Sequence, residues 1–301
     1  MYQLRNLGFG KTTMEEHIKC EMKELIERIE QSNGEPIQVR SLLASSTSSN
    51  ISALVFGKRF LYDDPDRIQI DNAIQRAVKK LGSTGILTFF PQLSRVFARL
   101  GIFGLKQLKQ DFLTVNKYIV NKINEHEQTL DENNVRDYID GFLIEMKKHQ
   151  SNPRTTFTKK MLAGNVQGFF AAGSETVKTT IEWALLIAAG FPDVQKKIHH
   201  EIDQVVSENI MPSWIDRHKM TYTQAVINEI HRWKTISPLN LLRQTLDDVY
   251  VQGYHVPKGT NVIANLWSVH HDPLYWRSPE QFIPERFLDE NNQIIKLLQI
   301  W

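Results

Sequence analysis

The chain has 301 residues, 41% hydrophobic and 23% charged, with a net charge of +2 at neutral pH. That suits one large domain or two smaller ones, and without a long Lys/Arg block it gives no electrostatic reason to expect nucleic acid. One cysteine, Cys20, excludes an intramolecular disulfide, and the longest apolar run, Trp183 to Phe191, is far short of the roughly 20 residues of a bilayer span.

The first predicted helix opens at Thr13, with Glu16 placed for a capping box and Met14, Ile18, Met22, Leu25 and Ile29 as its apolar stripe. It stops at Asn33–Gly34. Helices are also expected over 41–56, which starts with a Ser/Thr-rich patch, and over Asp66 to Lys80. Gly82 begins an irregular stretch that includes a notably apolar segment, 85–97. Helical patterns resume from Leu105 to Leu130 and from Val135 to Lys148, and Ser151–Thr155 is the clearest break.

From Thr158 to Ala189 the pattern is one helix of about 45 Å, closed by Gly190, with Pro192 suited to the first turn of the next. Its middle reads Ala171-Ala-Gly-Ser-Glu-Thr176. A glycine costs about 1 kcal/mol relative to alanine in a helix, but it admits a close approach to the backbone. A threonine hydroxyl there can bond back to a carbonyl. Two readings follow: a packing glycine at a kink, or a shallow notch edged by an acid and a hydroxyl able to relay protons to a bound oxygen species.

Thr221 to Trp233 is a helix carrying Glu229 and Arg232. Their i,i+3 spacing allows a bidentate ion pair, and Arg286, from a distant loop, could complete a Glu–Arg–Arg cluster. Strands are expected only after Pro238: Val249–Val251 and Tyr254–Val256 form a hairpin around Gln252–Gly253. The fold class is mainly α, with a small sheet near the C-terminal end.

Taken together, Ala172-Gly-Ser-Glu-Thr176, Glu229-Ile-His-Arg232 and Pro284-Glu-Arg-Phe287, in this order, resemble the cytochrome P450 superfamily of haem-thiolate monooxygenases. Leu4–Lys11, Phe191–Gln195, Tyr222–Val226, Gly253–Thr260 and His271–Pro273 resemble the animal microsomal family 2 type. The resemblance covers residues 1–301 as a single partial domain. It implies a haem-dependent enzyme that inserts one oxygen atom from dioxygen into a lipophilic small molecule, with electrons from NADPH through a partner reductase.

By the same resemblance, Glu175 and Thr176 are catalytic, serving proton delivery, with Val177 where a second hydroxyl often stands. Arg243, Ala172 and Gly173 contact the haem, with Arg243 pairing a propionate. Glu229, Arg232 and Arg286 are a structural triad. Phe169, Phe170, Ser237, Leu239, Leu241 and Leu242 line the substrate space. Segment 85–97 touches the membrane peripherally, and the complete protein sits on the cytosolic face of the endoplasmic reticulum.

The family's iron ligand is a Cys thiolate shortly after the position of Phe287, and this sequence has none there. Cys20 reads as a small apolar helix residue, and His270 and His271 as surface or hydrogen-bonded. The chain is therefore expected to be truncated at both ends, lacking the anchor region and the haem-Cys loop. Haem retention should be weak, monooxygenation absent, and the helix around Trp183 to Ile187 stripped of its cover. A non-catalytic truncated remnant, or a partner-binding fragment, is the alternative.

Overall fold

Apolar residues at helical spacing, interrupted by Gly and Pro at turns, make helices the main building material. The computed structural model describes residues 12–84, 90–208 and 210–295. Its helices are α1 (Thr12–Glu30), α2 (Val39–Phe56), α3 (Pro65–Thr84), α4 (Pro91–Leu100), α5 (Leu105–Gln128), α6 (Tyr138–Lys148), α7 (Lys159–Gly190), α8 (Pro192–Val205), α9 (Thr221–Trp233) and α10 (Leu266–His271). The strands are β1 (Arg243–Gln244), β2 (Val249–Val251), β3 (Tyr254–Val256) and β4 (Asn261–Val262). Two compact units result, Met1–Lys178 and Thr179–Trp301, with the boundary inside α7.

In the first unit, α2, α3, α5, α6 and α7 share a core that includes Val55, Ile74, Ile119, Ile139, Leu162 and Phe170. Helix α2 is buried along most of its length, serines included. Those serines find partners: Ser49 donates to Glu21 at 2.7 Å, Ser52 to the Lys58 carbonyl at 2.6 Å and Ser48 to Asp71 at 3.1 Å. Buried hydroxyls are tolerated because they are hydrogen-bonded.

The same satisfaction rotates α1 away from its expected stripe. Leu25 is buried as anticipated, but the other inward residue is Glu21, while Ile18, Met22 and Ile29 are exposed. Glu21 is held by Ser49 and by the Arg59 guanidinium. A buried ion pair, not the apolar stripe, sets which face of α1 turns inward. The expected cap at Thr13 falls on a side chain outside those described.

The other boundaries agree with the periodicity to within a few residues, with one correction. Instead of turning irregular at Gly82, α3 continues to Thr84, and a separate helix, α4, occupies Pro91–Leu100. Residues 85–89 of the apolar segment lie outside the described ones.

In the second unit, Ile187, Val226, Ile230 and Phe282 form one cluster, and Ala225, Trp276 and Phe287 another. Trp183 and Ala184 pack against the first cluster, so only Leu185 and Leu186 of the expected bare stretch are exposed. Helices α8 and α9 supply the cover there. Strands β2 and β3 pair in antiparallel register, Val249 opposite Val256 and Val251 opposite Tyr254. Gln252 and Gly253 both have positive φ, as a tight hairpin turn requires. Strand β1 pairs with β4, Arg243 opposite Val262.

Candidate functional site

Helix α7 has two opposed ridges at i,i+4 spacing, which is how a helix presents faces. Leu162, Val166, Phe170, Ser174 and Lys178 form the buried ridge, apolar at first and polar from Ser174 on. Gly164, Gly168, Ala172 and Thr176 form the exposed one. A Cβ added at Gly164 or Gly168 would meet nothing within 4 Å, so this side of α7 is flat and open. The Thr176 hydroxyl donates to the Ala172 carbonyl at 2.5 Å.

Gly173 faces a neighbour. A Cβ there would stand 2.6 Å from Cδ1 of Ile51, and the close approach that this glycine permits is that of α2. Phe170 is 1% exposed, with its ring centroid 5.5 Å from that of Phe56. Fully enclosed, it packs the core and has no surface to offer a substrate, which corrects the expectation for this residue. Phe169 is partly buried, edge-on to Tyr138 at 5.0 Å.

Where the buried ridge turns polar, a charge network begins. Lys178 is fully buried and its ammonium is hydrogen-bonded to Glu175, while Arg40 lies 3.8 Å from the other Glu175 oxygen. Arg67, also buried, donates to Asp71 at 2.8 Å and to Ser45 at 2.6 Å. Arg40, Ser45, Arg67, Asp71, Glu175 and Lys178 line one polar cavity of about 270 Å³. Burial pushes the Asp71 carboxyl up to about 6, although Arg67, Ser48 and Lys178 pull it down. Sequence reasoning found Glu175 and missed these partners. The i,i+3 spacing of Glu175 and Lys178 and the i,i+4 spacing of Arg67 and Asp71 were the available signals.

In the second unit the structure brings Glu229, Arg232 and Arg286 together. Arg232 donates to the two Glu229 oxygens at 2.7 and 2.8 Å, and Arg286 to Oε1 at 3.2 Å. The Ile283 amide donates to the same Oε1 at 2.9 Å. The remaining guanidinium donors reach carbonyls: Arg232 to His270 at 2.7 Å, Arg286 to Arg277 at 2.9 Å. Every charge in the cluster is paired and hydrogen-bonded, the condition under which burial is bearable. Glu201 on α8 accepts from the Tyr222 and Thr223 amides, both at 2.8 Å, and so caps α9.

His270 is buried, and burial, then the Arg232 charge, lowers its pKa. His271 stacks on Trp267 at 4.6 Å. Ser237, Leu239, Leu241 and Leu242 are exposed. Arg243 is exposed on β1 and has no ion-pair partner among the described residues.

The family model for cytochrome P450 matches residues 2–298. The chain belongs to the cytochrome P450 family. It is 37% identical to cytochrome P450 2J2 of Homo sapiens over 97% of this chain and 58% of that protein. Cytochrome P450 2C11 of Rattus norvegicus, at 34%, and cytochrome P450 2B9 of Mus musculus, at 35%, match over the same 97% of the chain. The chain thus spans under three fifths of the length of these curated P450 relatives.

The residues present fit part of what a P450 haem requires. The open ridge of Ala172 and Thr176 gives a flat surface for a planar ring, and Arg243 offers a cation to a carboxylate. They do not supply a thiolate, since the only cysteine, Cys20, is exposed on α1. Among the described residues, no helix is long and apolar enough to cross a membrane.

Proposed function

We propose that the protein to which this chain belongs is a haem-dependent monooxygenase acting on lipophilic small molecules, with NADPH-derived electrons from a partner reductase. The observation that carries this reading is Thr176, exposed at the end of the open α7 ridge and next in sequence to Glu175, a carboxylate set in a hydrated polar cavity. Haem, when bound, supplies the redox iron for dioxygen chemistry. Thr176 holds a proton-bearing oxygen at the ridge, and Glu175 exchanges protons with solvent through the cavity. Ala172 keeps the ridge low, and Arg243 takes a propionate. Glu229, Arg232 and Arg286 fix the loop around Pro284 structurally. Phe169, Leu239, Leu241 and Leu242 are the substrate-facing residues, with Ser237.

The complete protein works at the cytosolic face of the endoplasmic reticulum, with the 85–97 region in peripheral contact with the bilayer. A second reading, a non-catalytic remnant or partner-binding fragment, rests on the single cysteine, placed on α1. The intact mass of the endogenous protein, captured through Val249–Thr260, separates the two. A mass well above 34.9 kDa, with NADPH-dependent oxygenation of lipophilic probes that Glu175→Gln slows, supports the enzyme. A mass near 34.9 kDa without a thiolate-type haem spectrum supports the remnant.

A further inference from the structure

Helix α4 is the one element of the first unit in which most of the apolar side chains face solvent. Leu93, Val96 and Leu100, at i, i+3 and i+7, lie on one side, flanked by Phe90 and Ile102. These five are between 40% and 66% exposed. Arg95 and Arg99, at i,i+4, occupy the other side and are exposed too. Such a face is not part of a core, and its opposite face is cationic, the pattern of a helix lying in a membrane interface.

The charge around it is one-sided. From Arg76 to Gln110 the sequence holds Arg76, Lys79, Lys80, Arg95, Arg99, Lys106 and Lys109 and no carboxylate, although the whole chain is only +2. The stem of this excursion is closed. Arg76 pairs with Asp111 at 2.6 Å, and at Gly104 the side-chain direction points onto the Lys80 stem, 2.7 Å away. Helix α4 and its cations therefore form the end of the α3–α5 pair.

We propose that this end docks on an anionic phospholipid surface, with Leu93, Val96 and Leu100 entering the acyl boundary and Arg95, Arg99, Lys79, Lys106 and Lys109 engaging phosphate and carboxylate headgroups. The inference rests on the peripheral membrane contact proposed above and adds its lipid class. Each cation near a charged bilayer strengthens binding about fivefold, and salt screens the gain.

The test is flotation of the 301-residue chain with phosphatidylcholine vesicles, and with vesicles in which about one third is phosphatidylserine. The anionic vesicles should bind at least about 25-fold more tightly, with the excess lost in high salt. Arg95→Gln with Arg99→Gln should remove about 25-fold on anionic vesicles and little on neutral ones. Leu93→Ser with Val96→Ser should weaken both. Lys147→Gln with Lys148→Gln, an exposed pair on α6, should change neither. Equal, salt-independent binding to both vesicle types overturns the anionic assignment and leaves membrane contact standing. Binding to neither overturns both. Equal loss with the α6 pair shows diffuse attraction and overturns the docking site.

Discussion

Arg232 clasps Glu229 through two hydrogen bonds, and neither side chain has any exposed surface. Removing one partner strands the other as a buried charge. Arg232→Ala or Glu229→Gln should therefore destabilise the second unit by about 3–5 kcal/mol. All six tryptophans lie at or after Trp183, so urea unfolding followed by tryptophan fluorescence reports this unit. A loss below about 1 kcal/mol would show the pair to be no more than a surface bridge.

Glu201 serves as the missing cap of α9. Glu201→Ala leaves two amides and the Thr223 hydroxyl without their acceptor and should cost about 1–2 kcal/mol. The same tryptophan signal measures it, and an unchanged midpoint would mean that water replaces the carboxylate at no loss.

Gly173 and Ile51 are a packing pair. Gly173→Val should cost about 1–3 kcal/mol by overpacking, and Ile51→Ala in the same chain should return part of it. Helix circular dichroism during urea unfolding gives the double-mutant cycle. Strict additivity would mean that the two side chains do not meet.

Asp71 gives the first unit a stability that depends on pH. Its folded-state carboxyl sits at about 6, against 3.8 ordinarily, chiefly because of burial. The folded state thus holds this proton more tightly than the unfolded state, and stability falls as pH rises from about 4 to 6. By linkage the contribution is roughly 3 kcal/mol. Plotted against pH, the stability of the native protein minus that of Asp71→Asn should decline across that window. A flat difference would remove the assignment.

His126 adds a second, separate window. Its ring nitrogen lies 2.7 Å from Asp137. Burial lowers its pKa, but the Asp137 hydrogen bond and charge, with the Lys122 carbonyl, outweigh burial and raise it above 6.5. This contribution is full below pH 6.5 and is lost as pH rises through the folded value. His126→Gln should flatten that upper decline and leave the Asp71 window unchanged.

Much of this was legible in residue order, because local chemistry decides it. Gly190 and Pro192 mark the end of α7 and the start of α8, and Gln252–Gly253 marks the hairpin, by backbone conformation alone. The Glu229 cluster was readable from spacing plus one distant arginine. What could not be read depends on partners far away in sequence. Glu21 is inward because Arg59 and Ser49 meet it, Gly173 is small because of Ile51, and Phe170 belongs to the core because Phe56 and Phe60 surround it. Helix α4 was missed because its apolar face packs on little, so its periodicity was taken for an apolar loop.

The cap that Glu201 lends to α9 has a bearing on how the Glu229 cluster could be moved. An isolated peptide of Thr221–Trp233 would hold Glu229 and Arg232 at the right spacing, yet lack the carboxylate that starts its helix. It would also lack the Ile283 amide and Arg286 that keep the acid dry. The arrangement is not a portable motif. The shortest span that contains all its supports runs from Pro192 to Phe287, and a graft into another scaffold would have to carry that whole stretch.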